Sequence, residues 1–251
     1  MPARRWPRVI GHRGAALSAP ENTLAGFCMA AALEVEWVEF DVRLTRDGRV
    51  ILLHDDRLER TTTGRGPAAA LTFAEIRRLD AGKWFGADFV GQPVPSLEET
   101  IDLLARLKLG AVIELKPAPD AEAETGRAAA RLIAERWPAS LPAPLISSFK
   151  PAALAAARDA APQLERALLV GKVPRDWQER MEELGCSLLH ADQRRLGAAT
   201  AEEVRAAGVP LFAYTVNLAE RAQELFSWGV DAVFSDCPDR LQTRDPRLSP
   251  G

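Results

Sequence analysis

A strand-then-helix rhythm repeats along this chain, and it restricts the possible folds more than any single motif does. Ser96 and Glu99 make a capping box for a helix running to about Lys108, and residues 111–115 follow as a buried apolar strand. The spacing predicts a helix over 121–137, a strand at 143–147, and a helix opened by Pro151. Strand patterns at 166–170, 186–189, 209–214 and 230–235 alternate with helical spacing over 176–184, 201–207 and 218–228, and a short helix follows Pro238. Upstream, residues 8–11 and 38–44 supply two more strands, and Asn22 is placed to cap a helix over 23–33. With residues 49–53 set aside as an extra return strand, eight strands are each followed by a helix. That count predicts an α/β protein with a closed parallel sheet, a (β/α)8 or TIM barrel. The glycine pattern of an open dinucleotide-binding sheet is missing after the first strand. A length of 251 residues suits one such barrel as a single domain over 1–251, and 47% hydrophobic residues suffice for its core.

The stretch from Glu39 to Asp55 gathers chemistry in one place. Glu39 and Asp41 are two apart, so on a strand their side chains share a face. Asp47-Gly48 supplies a turn, and the return strand ends at His54, close to the level of Asp41. Two carboxylates and an imidazole therefore meet, the minimum for a metal site with an acid or base beside it. Residues 56–95 then form a long excursion with little regular structure, apart from a helical stretch near 73–79. Such insertions are often lids or binding loops. Trp84 and Phe85 are expected to pack the insertion's own small core rather than cover a substrate.

Active sites of these barrels lie at the C-terminal ends of the strands, and polar residues collect there. His12 and Arg13 follow the first strand between Gly11 and Gly14. Glu39 and Asp41 close the second, Glu114 and Lys116 the third, and Ser148 follows the fourth. His190 follows the sixth, Tyr214 to Asn217 the seventh, and Asp236 the eighth. Three carboxylates (Glu39, Asp41, Glu114) without thiolates favour one hard divalent cation, Mg²⁺ or Ca²⁺. Arg13 and Lys116 suit phosphate oxygens, with Lys116 also a partner for Glu114. His12 and His54 can exchange protons near neutral pH. Together these groups describe phosphodiester cleavage. Glu21 is expected to orient Arg13, and Asp236 to cap the last helix. His190 either lines the site or makes a structural hydrogen bond.

Several classes are excluded. A net charge of −3 with interspersed signs gives no basic stripe for nucleic acid. No run is long enough to cross a membrane, and the basic N-terminus lacks an apolar signal segment. Cys28, Cys186 and Cys237 are spaced too irregularly for a disulfide framework or thiolate site, which points to reduced thiols and a cytoplasmic protein. Oligomeric state is not written in the chain.

The ordered motifs carry a resemblance. His12-Arg13-Gly14 followed by Glu21-Asn22-Thr23, then Glu39-Phe40-Asp41, His54-Asp55, Glu114-Leu115-Lys116 and Thr215-Val216-Asn217, resemble the glycerophosphodiester phosphodiesterase family, most closely its cytosolic bacterial type. The match spans essentially the whole chain. It implies a TIM barrel, a divalent metal, and hydrolysis of deacylated phospholipids, a small-molecule substrate, to sn-glycerol 3-phosphate and an alcohol. By similarity Glu39, Asp41 and Glu114 hold the metal, with His12 and His54 as the general acid–base pair; we assign His12 as base and His54 as acid, an order the resemblance does not set. Tyr214 stands where the family commonly has Trp, and is expected to line the glycerol end of the pocket. Ala16 stands where a small polar residue is common.

Overall fold

The computed structural model describes residues 6–241. Nine strands form its sheet: β1 (Val9–His12), β2 (Trp37–Leu44), β3 (Val50–Leu52), β4 (Gly110–Leu115), β5 (Leu145–Ser148), β6 (Glu165–Val170), β7 (Leu188–Asp192), β8 (Leu211–Tyr214) and β9 (Ala232–Ser235). Eight of them, all but β3, pair in parallel around a ring that the β1–β2 pairing closes. β3 is the expected extra strand, antiparallel to β2 with Val42 opposite Leu52. The helices between strands are α1 (Leu24–Ala32), α2 (Phe73–Ile76) within the insertion, α3 (Leu97–Leu107), α4 (Glu122–Arg136), α5 (Pro151–Ala160), α6 (Trp177–Leu184), α7 (Ala198–Ala206) and α8 (Ala219–Ser227), with α9 (Pro238–Leu241) last. The fold is the (β/α)8 barrel that the strand count predicts. No helix among the described residues is long and apolar enough to cross a membrane.

Period-two alternation explains where the site must lie. Ile10, Trp37, Val112, Leu145, Ala167, Leu188, Phe212 and Ala232 form one buried apolar cluster, one residue from each strand of the ring. Trp6 seals it, with edge-to-face contacts to Trp37 and Phe212 at ring distances of 5.5 and 5.3 Å. Two residues further along the strands stand His12, Glu39, Glu114, Ser147, His190 and Tyr214. Strand sterics put each of these on the same side as the apolar residue before it. The barrel is thus a hydrocarbon plug at one level and, with Leu169 and Phe234 as its two apolar members, a largely polar layer at the next. A second, larger core lies between the strands and the helices, including Phe27, Phe40, Ile113, Leu154 and Leu225.

Several boundaries differ from expectation, and three have a visible local cause. The cap of α1 is Thr23, whose hydroxyl accepts from Gly26 N at 3.1 Å, and Asn22 instead adopts a positive φ of 55°. β5 ends one residue later than predicted, so Ser148 lies within it and its hydroxyl donates to Leu115 O at 2.8 Å. β7 begins at Leu188 rather than Cys186, because Cys186 N closes the end of α6 by donating to Met181 O at 2.8 Å. β7 also runs on to Asp192, so His190 lies inside the strand, not after it.

The insertion has its own core of Leu58, Ala68, Ile76, Ala81 and Val94 against Ile51 and Leu53. Trp84 and Phe85 are not part of it. They contact each other edge to face at 5.5 Å on the surface, and Trp84 stays 41% exposed because its indole N–H reaches Ala81 O at 2.9 Å.

Candidate active site

The turn after β1 is built by glycines. A side chain at Gly11 would strike Gly14 O at 2.1 Å, and Gly14 has φ 95° with the backbone of α1 pressed against it. This tight turn aims the Arg13 backbone N–H at Glu39 Oε2, 3.2 Å away. The same turn leaves His12 at the barrel mouth. There Asp236, at the end of β9, accepts from His12 Nδ1 at 2.6 Å. Asn217 fixes Asp236 in turn, donating to Oδ2 at 2.8 Å and accepting from its N–H at 2.9 Å. Asp236 was expected to cap α9; it is the orienting partner of His12 instead. A carboxylate on Nδ1 leaves Nε2 as the working nitrogen, and that atom lies 3.8 Å from Glu39 Oε2.

His54 is held in a parallel manner. Asp55 Oδ1 lies 2.6 Å from its Nδ1, and Arg43 grips its carbonyl through Nε and Nη2 at 3.1 and 2.6 Å. Burial, opposed by Asp41, pulls the His54 pKa below 6.5.

Between the two imidazoles lie Glu39, Asp41 and Glu114, each offering an oxygen within 4.8 Å of the others. All three are buried, and Asp41 is 1% exposed. Desolvation and the mutual repulsion of the carboxylates push Glu39 well above its ordinary value and Glu114 up to about 7. Asp41 responds oppositely. Burial opposes its charge, yet Arg13, Lys116 and His54 hold it well below the usual carboxylate range. The cations sit close: Arg13 Nε is 3.3 Å from Asp41 Oδ2, and Lys116 Nζ is 3.6 Å from Asp41 Oδ1 and 2.8 Å from Glu114 Oε1. That last contact places the Lys116 ammonium directly on the Glu114 carboxylate. Three buried carboxylates, an oxygen-only donor set in which mutual repulsion raises two of the three, fit a hard divalent cation.

Asn22 completes the floor. Its amide donates to Asp41 Oδ2 at 2.8 Å and accepts from Asp41 N at 3.1 Å. Glu21 binds Arg13 Nη1 at 2.8 Å, as the sequence suggests.

Seven of the eight residues singled out from the sequence, His12, Arg13, Glu39, His54, Glu114, Lys116 and Tyr214, line one cavity of about 460 Å³, with Asp41 buried beside them. That volume suits a small molecule rather than a polymer. Tyr214 presents its ring, since its hydroxyl is spent on Val170 O at 2.8 Å. Phe149 meets that ring edge to face at 5.9 Å. His190 also lines the cavity, stacked on Phe212 at 5.0 Å, and burial lowers it to about 3, so it is neutral. Its Nε2 has no hydrogen-bond partner among the described residues.

Comparison with known proteins gives the family. The model of the glycerophosphoryl diester phosphodiesterase family matches residues 12–240. A glycerophosphodiester phosphodiesterase of Caldanaerobacter subterraneus is 34% identical, over 93% of this chain and 95% of its own. One from Bacillus subtilis is 30% identical, over 92% of this chain and 83% of its own. Among solved structures, a phosphodiesterase of Oleispira antarctica, in complex with the product sn-glycerol 3-phosphate, superposes with a TM-score of 0.91 at 40% identity, covering 94% of this chain and 95% of that one. Fold, cavity and relatives converge: this chain belongs to the glycerophosphoryl diester phosphodiesterase family of hydrolases.

Proposed function

We propose that this chain hydrolyses glycerophosphodiesters, the deacylated phospholipids, to sn-glycerol 3-phosphate and a free alcohol, with Glu39, Asp41 and Glu114 holding one Mg²⁺ or Ca²⁺ ion. The observation that carries this reading is the pair of histidines, each tethered at Nδ1 by a carboxylate, facing one cavity with the acidic trio and two cations. The Oleispira relative's bound product supports the glycerol phosphate half of the substrate.

Arg13 and Lys116 neutralise charge that grows on the phosphoryl oxygens in the transition state. His12 removes a proton from the attacking oxygen through Nε2, while Asp236 stabilises the resulting imidazolium. His54 delivers a proton from Nε2 to the departing alcohol, with Asp55 fixing the ring. The same pair serves a glycerol 2-hydroxyl, which gives a cyclic phosphate later opened by water, and serves direct attack by water. A divalent cation on the trio supplies Lewis-acid stabilisation of the phosphate oxygens. The Asn22 hydrogen bonds fix the Asp41 carboxylate, and Arg13 and Lys116 keep it ionised against its burial. The ring faces of Tyr214 and Phe149 shape the cavity wall beyond Lys116. The unpaired thiols of Cys28, Cys186 and Cys237 support the cytoplasm as the compartment.

The test is a panel of diesters. Purified protein with Mg²⁺ or Ca²⁺ is expected to release sn-glycerol 3-phosphate from glycerophosphocholine and glycerophosphoethanolamine, and not to cleave lysophosphatidylcholine. Cleavage of the head group from the lysolipid alone would make it a lysophospholipase D. Folded, metal-loaded protein that cleaves none of them would be a binding protein.

A further inference from the structure

Arg60 lies in the insertion, 44% exposed and outside the cavity wall, yet it touches both halves of the site at once. Its Nη1 and Nη2 donate to Glu21 Oε2 and Oε1 at 2.7 and 2.8 Å. Its Nε and Nη2 donate to Asp55 Oδ2 and Oδ1 at 2.6 and 3.0 Å. Glu21 Oε1 is the same atom that holds Arg13, and Asp55 Oδ1 is the same atom that holds His54. One planar guanidinium therefore locks a chain that runs Arg13–Glu21–Arg60–Asp55–His54.

We propose that Arg60 is a positioning residue for the hydrolysis, fixing His54 through Asp55 and Arg13 through Glu21, and that the insertion serves the chemistry by delivering it. Isolated exposed ion pairs contribute little. This one differs in geometry, because both carboxylates are gripped in forks that only guanidinium can make. Its backbone is also anchored. Leu58, Thr61 and Thr62 flank it and are buried, and the Thr62 hydroxyl donates to Leu58 O at 2.7 Å. Glu21 is itself only 9% exposed, so removing Arg60 leaves a nearly buried carboxylate with Arg13 as its sole cation. Without the forks, Asp55 and Glu21 are free to swing, and His54 and Arg13 go with them. Small displacements of reacting groups cost rate steeply.

The proposal rests on His54 acting in the reaction, so Arg60→Ala and Arg60→Lys are measured beside His54→Ala. Each is assayed on glycerophosphocholine and on the p-nitrophenyl ester of glycerol 3-phosphate, whose leaving group needs no proton. If His54 is the acid, His54→Ala loses far more kcat on the choline ester than on the p-nitrophenyl ester. Arg60→Ala is expected to show the same bias, with kcat on the choline ester down roughly 10–100-fold, and KM raised on both esters through Arg13. Arg60→Lys is expected to behave like Arg60→Ala, since an ammonium cannot form the forks. Wild-type kinetics in either Arg60 variant would overturn the proposal. So would equal losses on both esters while His54→Ala discriminates between them, because that pattern marks general loosening. If His54→Ala itself shows no bias, the acid assignment fails separately, and Arg60 must then follow whatever leaving-group profile His54→Ala gives.

Discussion

Replacing His54 by alanine is expected to lower kcat on glycerophosphocholine by about 10³-fold, within the 10²–10⁴ range of a positioned proton donor. The loss should fall on kcat, with KM little changed, because Arg13, Lys116 and the acidic trio keep their positions around the phosphate. Three constraints make His54 this effective. Its Nδ1 is held by the Asp55 carboxylate, which favours the imidazolium, the form that carries a proton on Nε2 to deliver. Its carbonyl is gripped by Arg43, which is itself buried at 7% exposure and fixed by Asp56 at 2.5 Å. Burial disfavours its cation and lowers its pKa from 6.5, so the imidazolium, once formed, is a stronger acid than a free one. The fold should tolerate the change, since the ring is 30% exposed and packs no core. An unchanged melting temperature with lost turnover is the expected pair of results. Retained turnover would move the acid role elsewhere.

The second large effect concerns the acidic trio, and it has a definite sign with pH. A Glu ordinarily titrates near 4.5, and in the metal-free fold Glu114 is pushed up to about 7, with Glu39 raised as well. The fold thus favours their neutral forms. The stability this confers is fully present below about pH 4.5 and is lost as pH rises through about 7. A divalent cation reverses the loss, because it binds the ionised carboxylates and releases their protons. The gain in melting temperature on adding Mg²⁺ or Ca²⁺ is therefore expected to be small at pH 5 and largest at pH 8. At a hundred times the dissociation constant, binding adds about 2.7 kcal/mol, or roughly 5–10 °C for a chain of this size. Glu114→Gln should shift both quantities in opposite directions. It relieves repulsion, raising the metal-free melting temperature at pH 8, and it shrinks the gain from metal. A metal effect independent of pH would contradict this picture, as would one that grows toward acid.

How much of this was legible in the sequence depends on the range of the contacts involved. The barrel was readable because each strand–helix unit declares itself locally, through apolar runs, capping boxes and Pro151. The trio and His54 were readable because Glu39, Asp41 and His54 share one hairpin, and Glu114 repeats the strand-end position on the neighbouring strand. The errors lie where a distant partner overrides a local signal. Asn22 and Thr23 are both good caps, and nothing local shows that Asn22 is claimed by Asp41, 19 residues away. Asp236 before Pro238 looks like a helix cap, while its actual partner His12 is 224 residues distant. Arg60 sits in a polar run that reads as solvent-facing loop, and its tie to Glu21 spans 39 residues. The start of β7 was misplaced because the closing turn of α6 uses Cys186, whose apolar character resembles a strand residue. One sign was available for Asp236: it stands at a strand end on the same face as every other site residue.

The most direct test of the whole account is release of sn-glycerol 3-phosphate from glycerophosphocholine by protein stripped with EDTA, before and after Mg²⁺ or Ca²⁺ is restored. Release that vanishes on stripping, returns with the cation, and stays absent when Asp41→Asn protein is supplied with the same cation is the predicted result. Undiminished release from the stripped protein, or full activity in Asp41→Asn, would contradict it.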